Sequence, residues 1–249
     1  MLSQEQVRDF RSKGHVTVDG VFDADEVRVL LRDLDSWSDE FLRSLSPADQ
    51  DWYIEKAAAG SGARTALRKL DHPVFHRSVF KALAQHPVLV AKVQQLIGDS
   101  IDVFFSQVFM KPPEVGGPKP IHQDNFYFGP DDLDATLSVW IALDDSTVEN
   151  GCLYYCDQHQ QQVVAHEAPV DEPFNLQMPA AVASQIEMVP APVSSGGISF
   201  HHGNTPHQSS PNRSQHSRRA VAIHYLRADA KLIHPALPYD HSFRLSITR

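Results

Sequence analysis

The chain has 249 residues, 42% hydrophobic and 21% charged, a balance ordinary for a soluble globular protein of one large or two small domains. Its net charge of -9 argues against nucleic acid or an anionic membrane as the main partner, and no apolar run approaches the ~20 residues of a membrane span. Met1 to Glu5 has neither a basic start nor an apolar core, so no signal peptide is expected. The two cysteines, Cys152 and Cys156, imply no disulfide framework and point to a reducing cytoplasm.

In chain order, Ser3 can cap a first helix carrying Val7 and Phe10, closed by Gly14. His15 to Val18 reads as a short strand. Asp23 and Glu26 form a capping box before Val27, Leu30, Leu31, Leu34 and Trp37, which fall at helical spacing. The stretch from Gln50 to Arg64 is polar and small, a loop or lid, and Thr65 to Leu70 suits a strand. Two more helices are expected over Val74–Ala84 and Val88–Ile97, the second ended by Gly98. Beyond Gly98 the character changes. Ile101–Phe105 and Val108–Met110 are rich in aromatic and branched residues, and short apolar runs then alternate with Pro, Gly, Asn and Asp as far as Tyr225. This is the spacing of a sandwich or barrel. Ala135–Leu143 reads as a buried strand, Val163–Val193 as an irregular segment over one mouth, Arg218–Leu226 as the last core strand, and the tail as surface.

The chemistry gathers at His122-Gln123-Asp124. On an extended strand residues i and i+2 share a face, so the imidazole and the carboxylate can reach one ion. Far downstream, His201, His202 and His207 each offer a third ligand, and His201 and His202 alternate, so at most one of them points inward. Two His and a carboxylate on one face form the triad that holds non-haem Fe(II) and leaves positions open. Arg218 and Arg219 alternate in the same way. His224 shares the parity of Arg218 and reads as a satisfied core histidine. Tyr127 and Phe128 suit a cavity wall or the core equally.

Met110-Lys111-Pro112-Pro113, Ile121-His122-Gln123-Asp124-Asn125, Ser138 to Asp144, Glu149 to Leu153, and Phe200 through His207 and Ser209 to Arg218-Arg219-Ala220 together resemble the phytanoyl-CoA dioxygenase family. The likeness covers about half the chain, from Lys111 to Tyr225, in the right order. It implies a mostly β fold with flanking helices around a double-stranded β-helix, a cupin-like jelly roll. The organisation expected is a single oxygenase domain over 1–249, with a helical part at 1–99, the jelly roll at 100–228 and a tail at 229–249. The resemblance implies His122, Asp124 and His207 as ligands of Fe(II). It sets Arg218 and Ser209 on the far carboxylate of 2-oxoglutarate, Trp140 as a wall of that site, Gln123 near the metal and Lys111 towards the mouth. Arg suits a carboxylate because its planar fork binds both oxygens. With Asp124 in place rather than the small residue of related halogenases, the implied outcome is hydroxylation of a small metabolite with O2, releasing succinate and CO2. One departure is clear. After Leu153 the family commonly turns through Pro-Gly-Ser/Thr-His, where this chain has Cys156-Asp157-Gln158-His159-Gln160. Substrate class therefore does not carry over. Two rival readings stand beside this one, a zinc hydrolase on the same three ligands and a non-catalytic jelly-roll binding module. Oligomeric state is open between monomer and homodimer.

Overall fold

Helix α1 (Gln4–Lys13) begins at the expected capping box: the Ser3 hydroxyl accepts the Gln6 amide, and the Gln6 side chain accepts the Ser3 amide. Two end donors that a bare helix leaves unpaired are thus satisfied. Gly14, at φ 84°, takes the left-handed turn into β1 (His15–Val18). The structure, a computed structural model, describes residues 1–55, 66–158, 160–169, 175–236 and 239–247. Asp23 and Glu26 close a second capping box at α2 (Ala24–Ser44), whose buried stripe is Val27, Leu30 and Leu34.

A single turn, α3 (Gln50–Tyr53), stands at the start of the stretch read as loop. Residues 56–65, the rest of that stretch, lie outside the described residues. The next strand is β2 (Lys69–Asp71), shorter and later than the sequence suggests. The helix expected over Val74–Ala84 is two pieces, α4 (Pro73–His76) and α5 (Ser78–Ala84), with Arg77 extended between them. The break lets the Arg77 guanidinium meet Asp33 and Glu40 of α2. Helix α6 (Pro87–Ile97) opens on proline, which needs no amide donor there, and stops at Gly98.

The β-rich part then supplies β3 (Ile101–Lys111), one strand where the sequence suggests two, β4 (Lys119–His122), α7 (Asp124–Phe128), β5 (Thr136–Ala142) and β6 (Leu153–Cys156). After it come α8 (Ala180–Ala183), β7 (Met188–Ala191), β8 (Ile198–His202), β9 (His207–Ser209) and β10 (Arg218–Arg227). The tail is not all surface. It returns as β11 (Leu245–Ile247) and pairs with β3, because Leu245 and Ile247 find apolar cover there.

Among the described residues, β1-β8-β5-β10-β3-β11 run in one sheet with β2 also on β3, and β4-β9-β6-β7 form a second, smaller sheet. All these pairings are antiparallel. Alternation sorts the large sheet's residues. Leu137, Val139 and Ile141 of β5, with Val221 and Ile223 of β10, join the helices in the main core. Trp140, Ala142, Ala220 and Ala222 point the other way and pack with Leu153 and Tyr155 of the small sheet. The large sheet is buried on both faces, which is why β5 reads as a continuous apolar run rather than an alternating one. The two sheets and their helical cover are the jelly-roll architecture implied by the sequence.

Candidate metal centre

Register brings the first two ligand candidates together: His122 on β4 stands opposite His207 on β9, with ring centroids 4.1 Å apart. Each ring is oriented by its own backbone. His122 Nδ1 lies 2.8 Å from the Pro120 carbonyl, and His207 Nδ1 lies 3.0 Å from the Thr205 carbonyl. A carbonyl only accepts, so both Nδ1 atoms carry the proton and both Nε2 lone pairs are exposed to the site.

Asp124 arrives differently from the sequence expectation. It does not share an extended strand with His122. β4 ends at His122, Gln123 is extended, and Asp124 opens α7. The helix start is pinned from outside: the Asn125 amide donates to the Gly203 carbonyl at 2.8 Å, and the Asn125 side chain donates to Leu133 O and Asn204 Oδ1. A Cβ at Gly203 would lie 2.1 Å from Asn125 Oδ1, so only glycine leaves room for this docking. The result places Asp124 Oδ1 3.7 Å from both His122 Nε2 and His207 Nε2. Both gaps are less than twice a metal–ligand bond of about 2.1 Å, so one ion can join each pair. All three ligand atoms lie within 4.8 Å of one another, and all three residues are buried.

The electrostatics suit an ion. Burial, helped by the like charges of His207 and Lys119, pushes the His122 imidazole well below its ordinary value and keeps its lone pair available. Burial opposes ionisation of Asp124, yet attraction to His207 and the hydrogen bond from His201 hold its carboxyl well below the ordinary range. His201 and His202 part company as their alternation requires. His201 faces inward with Nε2 3.0 Å from Asp124 Oδ2, and His202 faces Asp134. Burial also pushes His201 down to about 3 and His224 down to about 4. In the unfolded chain both would titrate near 6.5. Their folded values are depressed, so their contribution to stability is present above that value and is lost as pH falls below it. The metal-free protein is therefore expected to lose stability steadily as pH falls from about 6.5 towards about 4. Urea melts at pH 7, 6 and 5 measure this, and a midpoint independent of pH would refute it.

Along the inner face of β10 run Arg218, Ala220, Ala222 and His224. The small alanine side chains lie between a cation at one end and the metal trio at the other. Arg218 is buried, its guanidinium is 5.3 Å from the Trp140 ring, and its Nε and Nη1 have no hydrogen-bond partner among the described residues. Burial brings it down to about 10, still charged at neutral pH. An uncompensated buried cation is costly, and a bound anion removes the cost. Ser209 is buried two residues past His207. Arg219 points outward onto Asp144.

Two other candidates occupy different positions. Lys111 gives its ammonium to the carbonyls of Gly117 and Ser210, and burial beside Arg218 brings it down to about 6. Gln123 uses its side chain to tie the segment after β6 to the turn after β8: its amide donates to Gln162 O and Asn204 O, and its oxygen accepts the Val164 amide. Tyr127 is set edge-on to the His122 ring, and Phe128 edge-on to His224. Sequence reasoning passed over Ser138, Tyr155 and Lys69. Lys69, on β2 beside Phe109, is buried, lies 3.0 Å over the Trp52 ring and is brought down to about 7 by burial. Only the register of β2 on β3 reveals that it faces inward, since no local motif surrounds it.

Comparison with known proteins follows the same lines. The family model for phytanoyl-CoA dioxygenase matches residues 10–220. The mouse phytanoyl-CoA dioxygenase domain-containing protein 1 is 28% identical over 265 residues, covering 91% of each chain. The probable alpha-ketoglutarate-dependent hypophosphite dioxygenase of Stutzerimonas stutzeri is 27% identical over 233 residues, 91% of this chain and 79% of that one. Among solved structures, the non-heme alpha ketoglutarate dependent carbocyclase SnoK from nogalamycin biosynthesis superposes with a TM-score of 0.73 at 23% identity, over 99% of this chain and 97% of that one. With this fold, a trio of residues that could hold a metal ion and a family match across most of its length, the chain belongs to the phytanoyl-CoA dioxygenase family of iron- and 2-oxoglutarate-dependent oxygenases.

Proposed function

We propose that this oxygenase hydroxylates a small-molecule metabolite, with release of succinate and CO2. His122, Asp124 and His207 hold the iron. Arg218, Ser209 and Trp140 receive the far carboxylate of 2-oxoglutarate. The observation that carries the reading is Arg218, a buried guanidinium with two donors that have no partner among the described residues, on the β10 face that also carries Ala220 and Ala222. A zinc hydrolase has no use for such a group. When bound, iron with 2-oxoglutarate and O2 supplies the oxidation, which decarboxylates the cosubstrate and delivers one oxygen atom to the substrate.

The chain's own residues do the rest. The two Nδ1–H to carbonyl bonds fix the imidazoles. The small side chains of Ala142, Ala220 and Ala222 border the place of the cosubstrate, with Tyr155 and Leu153 packed against them. Lys111 and Gln123 act at one remove, as struts for the loops that frame the site. Lys69 adds a second cation on the β2 side. Two of the three proteins compared are, by their names, an alpha-ketoglutarate-dependent hypophosphite dioxygenase and an alpha ketoglutarate dependent carbocyclase from nogalamycin biosynthesis, which supports a shared cosubstrate with the substrate and the outcome set at the mouth. The whole chain is proposed as one domain. Its two buried free cysteines suit a reducing cytoplasm, and among the described residues no helix is long and apolar enough to cross a membrane.

Anaerobic titration with Fe(II) and then 2-oxoglutarate is the test. A weak visible charge-transfer band is expected, followed by succinate release on a metabolite screen. Tight zinc binding with no band would replace this reading with the hydrolase.

A further inference from the structure

One row of residues crosses the large sheet beneath Asp124. Ser138 on β5 stands opposite His201 on β8 and opposite His224 on β10. Both flanking strands thus aim a histidine at the same point. Ser138 Oγ donates to Asp124 Oδ2 at 2.5 Å, and His201 Nε2 lies 3.0 Å from that same oxygen. The carboxylate's other oxygen, Oδ1, faces His122 and His207.

The proton directions are determined by counting donors. A carboxylate only accepts, so the single Ser138 hydroxyl proton goes to Asp124. His224 Nδ1, 2.8 Å from Ser138 Oγ, must then be the donor to that oxygen. On the other side His201 donates through Nε2, so its Nδ1 accepts from the Tyr155 hydroxyl at 3.0 Å. Tyr155 in turn accepts from Ser199, 2.9 Å away, and Ser199 lies 3.2 Å from Thr17 on β1. Ser138, Ser199, His201 and His224 are each no more than 6% exposed, and Tyr155 is fully buried.

We propose that the two arms, His224–Ser138 and Tyr155–His201, are positioning groups that saturate Asp124 Oδ2 and so restrict the carboxylate to one-oxygen ligation through Oδ1. This rests on the iron reading above. A carboxylate that swung round to bind with both oxygens would take a position the cosubstrate needs. Outer partners of metal ligands typically govern affinity by about 10- to 100-fold. Ser138 and His201 touch the ligand directly, and His224 and Tyr155 act through them.

The test is Fe(II) affinity and the energy of the Fe(II)–2-oxoglutarate band, measured anaerobically on the full chain without turnover. Ser138→Ala and His201→Phe are each expected to weaken Fe(II) binding about tenfold and to shift the band. His201→Gln puts an amide nitrogen where Nε2 was, and His224→Asn does the same for Nδ1. Both are expected within about threefold of the unaltered protein, whereas His224→Phe matches Ser138→Ala. Equal losses in His201→Phe and His201→Gln would overturn the proposal, because shape rather than the donor would then matter. Unchanged affinity and band in Ser138→Ala and His201→Phe would overturn it as well. Tyr155→Phe, which keeps the ring and loses only the hydroxyl, guards against variants that fail to fold, and it is expected to shift the band less than His201→Phe does. If the unaltered protein shows no band at all, the iron reading fails first, and the two failures are distinguishable.

Discussion

Asp124→Asn is expected to abolish Fe(II) binding and turnover while leaving the metal-free fold close to its original stability. The asymmetry comes from the donors around the carboxylate. Ser138 and His201 both present protons to Oδ2. An asparagine can satisfy them only by turning its carbonyl oxygen towards them, which leaves its NH2 group facing the His122 and His207 lone pairs. An amide nitrogen of that kind is not a metal ligand. Loss of an outer partner already costs 10- to 100-fold in metal affinity, so loss of the ligand itself should exceed about 100-fold. Asp124→Ala should lose iron equally and stability in addition, because it strands two buried donors at about 1–3 kcal/mol each. Metal titration and thermal melts of the metal-free variants separate the two. An Asp124→Asn protein that still binds iron tightly would show that the trio is not the metal site.

What the sequence made legible and what it did not divide along one physical line. Local signals carried well. The capping boxes at Ser3 and Asp23 are decided within four residues, as are the glycine stop at Gly14 and the alternation of His201 with His202 and of Arg218 with Arg219. The helix break at Arg77 was hidden because its cause, Asp33 and Glu40, lies on another helix. Asp124 looked like a strand residue because its spacing from His122 is two, and the docking of Asn125 on Gly203 that turns it into a helix start is a contact between distant segments. Ser138 carried no signal, since a serine in an apolar run reads as an accident until the register sets it between two histidines. The family's motif order singled out the three candidates that the fold brings together. The geometry that holds them emerges only from strand pairing.

Arg218→Met is expected to produce opposite changes in stability and function. In the metal-free protein Arg218 is a buried cation whose Nε and Nη1 have no partner among the described residues, and its guanidinium lies over the Trp140 ring. Leaving such donors unpaired costs about 1–3 kcal/mol, and replacing a buried charge by an apolar side chain of similar volume is often neutral or stabilising. The variant should therefore melt at the same temperature as the parent or a few degrees higher. The neighbouring Lys111 should regain some of its charge, since Arg218 is one of the causes of its depression. Function should move the other way. Hydrogen bonds to a charged group contribute about 1.5–3 kcal/mol, so 2-oxoglutarate affinity should fall about 10- to 150-fold with iron affinity unchanged. Arg218→Lys should recover only part of this, because an ammonium cannot grip both carboxylate oxygens in one plane. The discriminating measurement is the pair of numbers for each variant, melting temperature without ligands and cosubstrate affinity with iron present. A stability loss with unaltered affinity would mean that Arg218 is a structural cation and that the cosubstrate's carboxylate is held elsewhere, with Lys69 the next cation to replace.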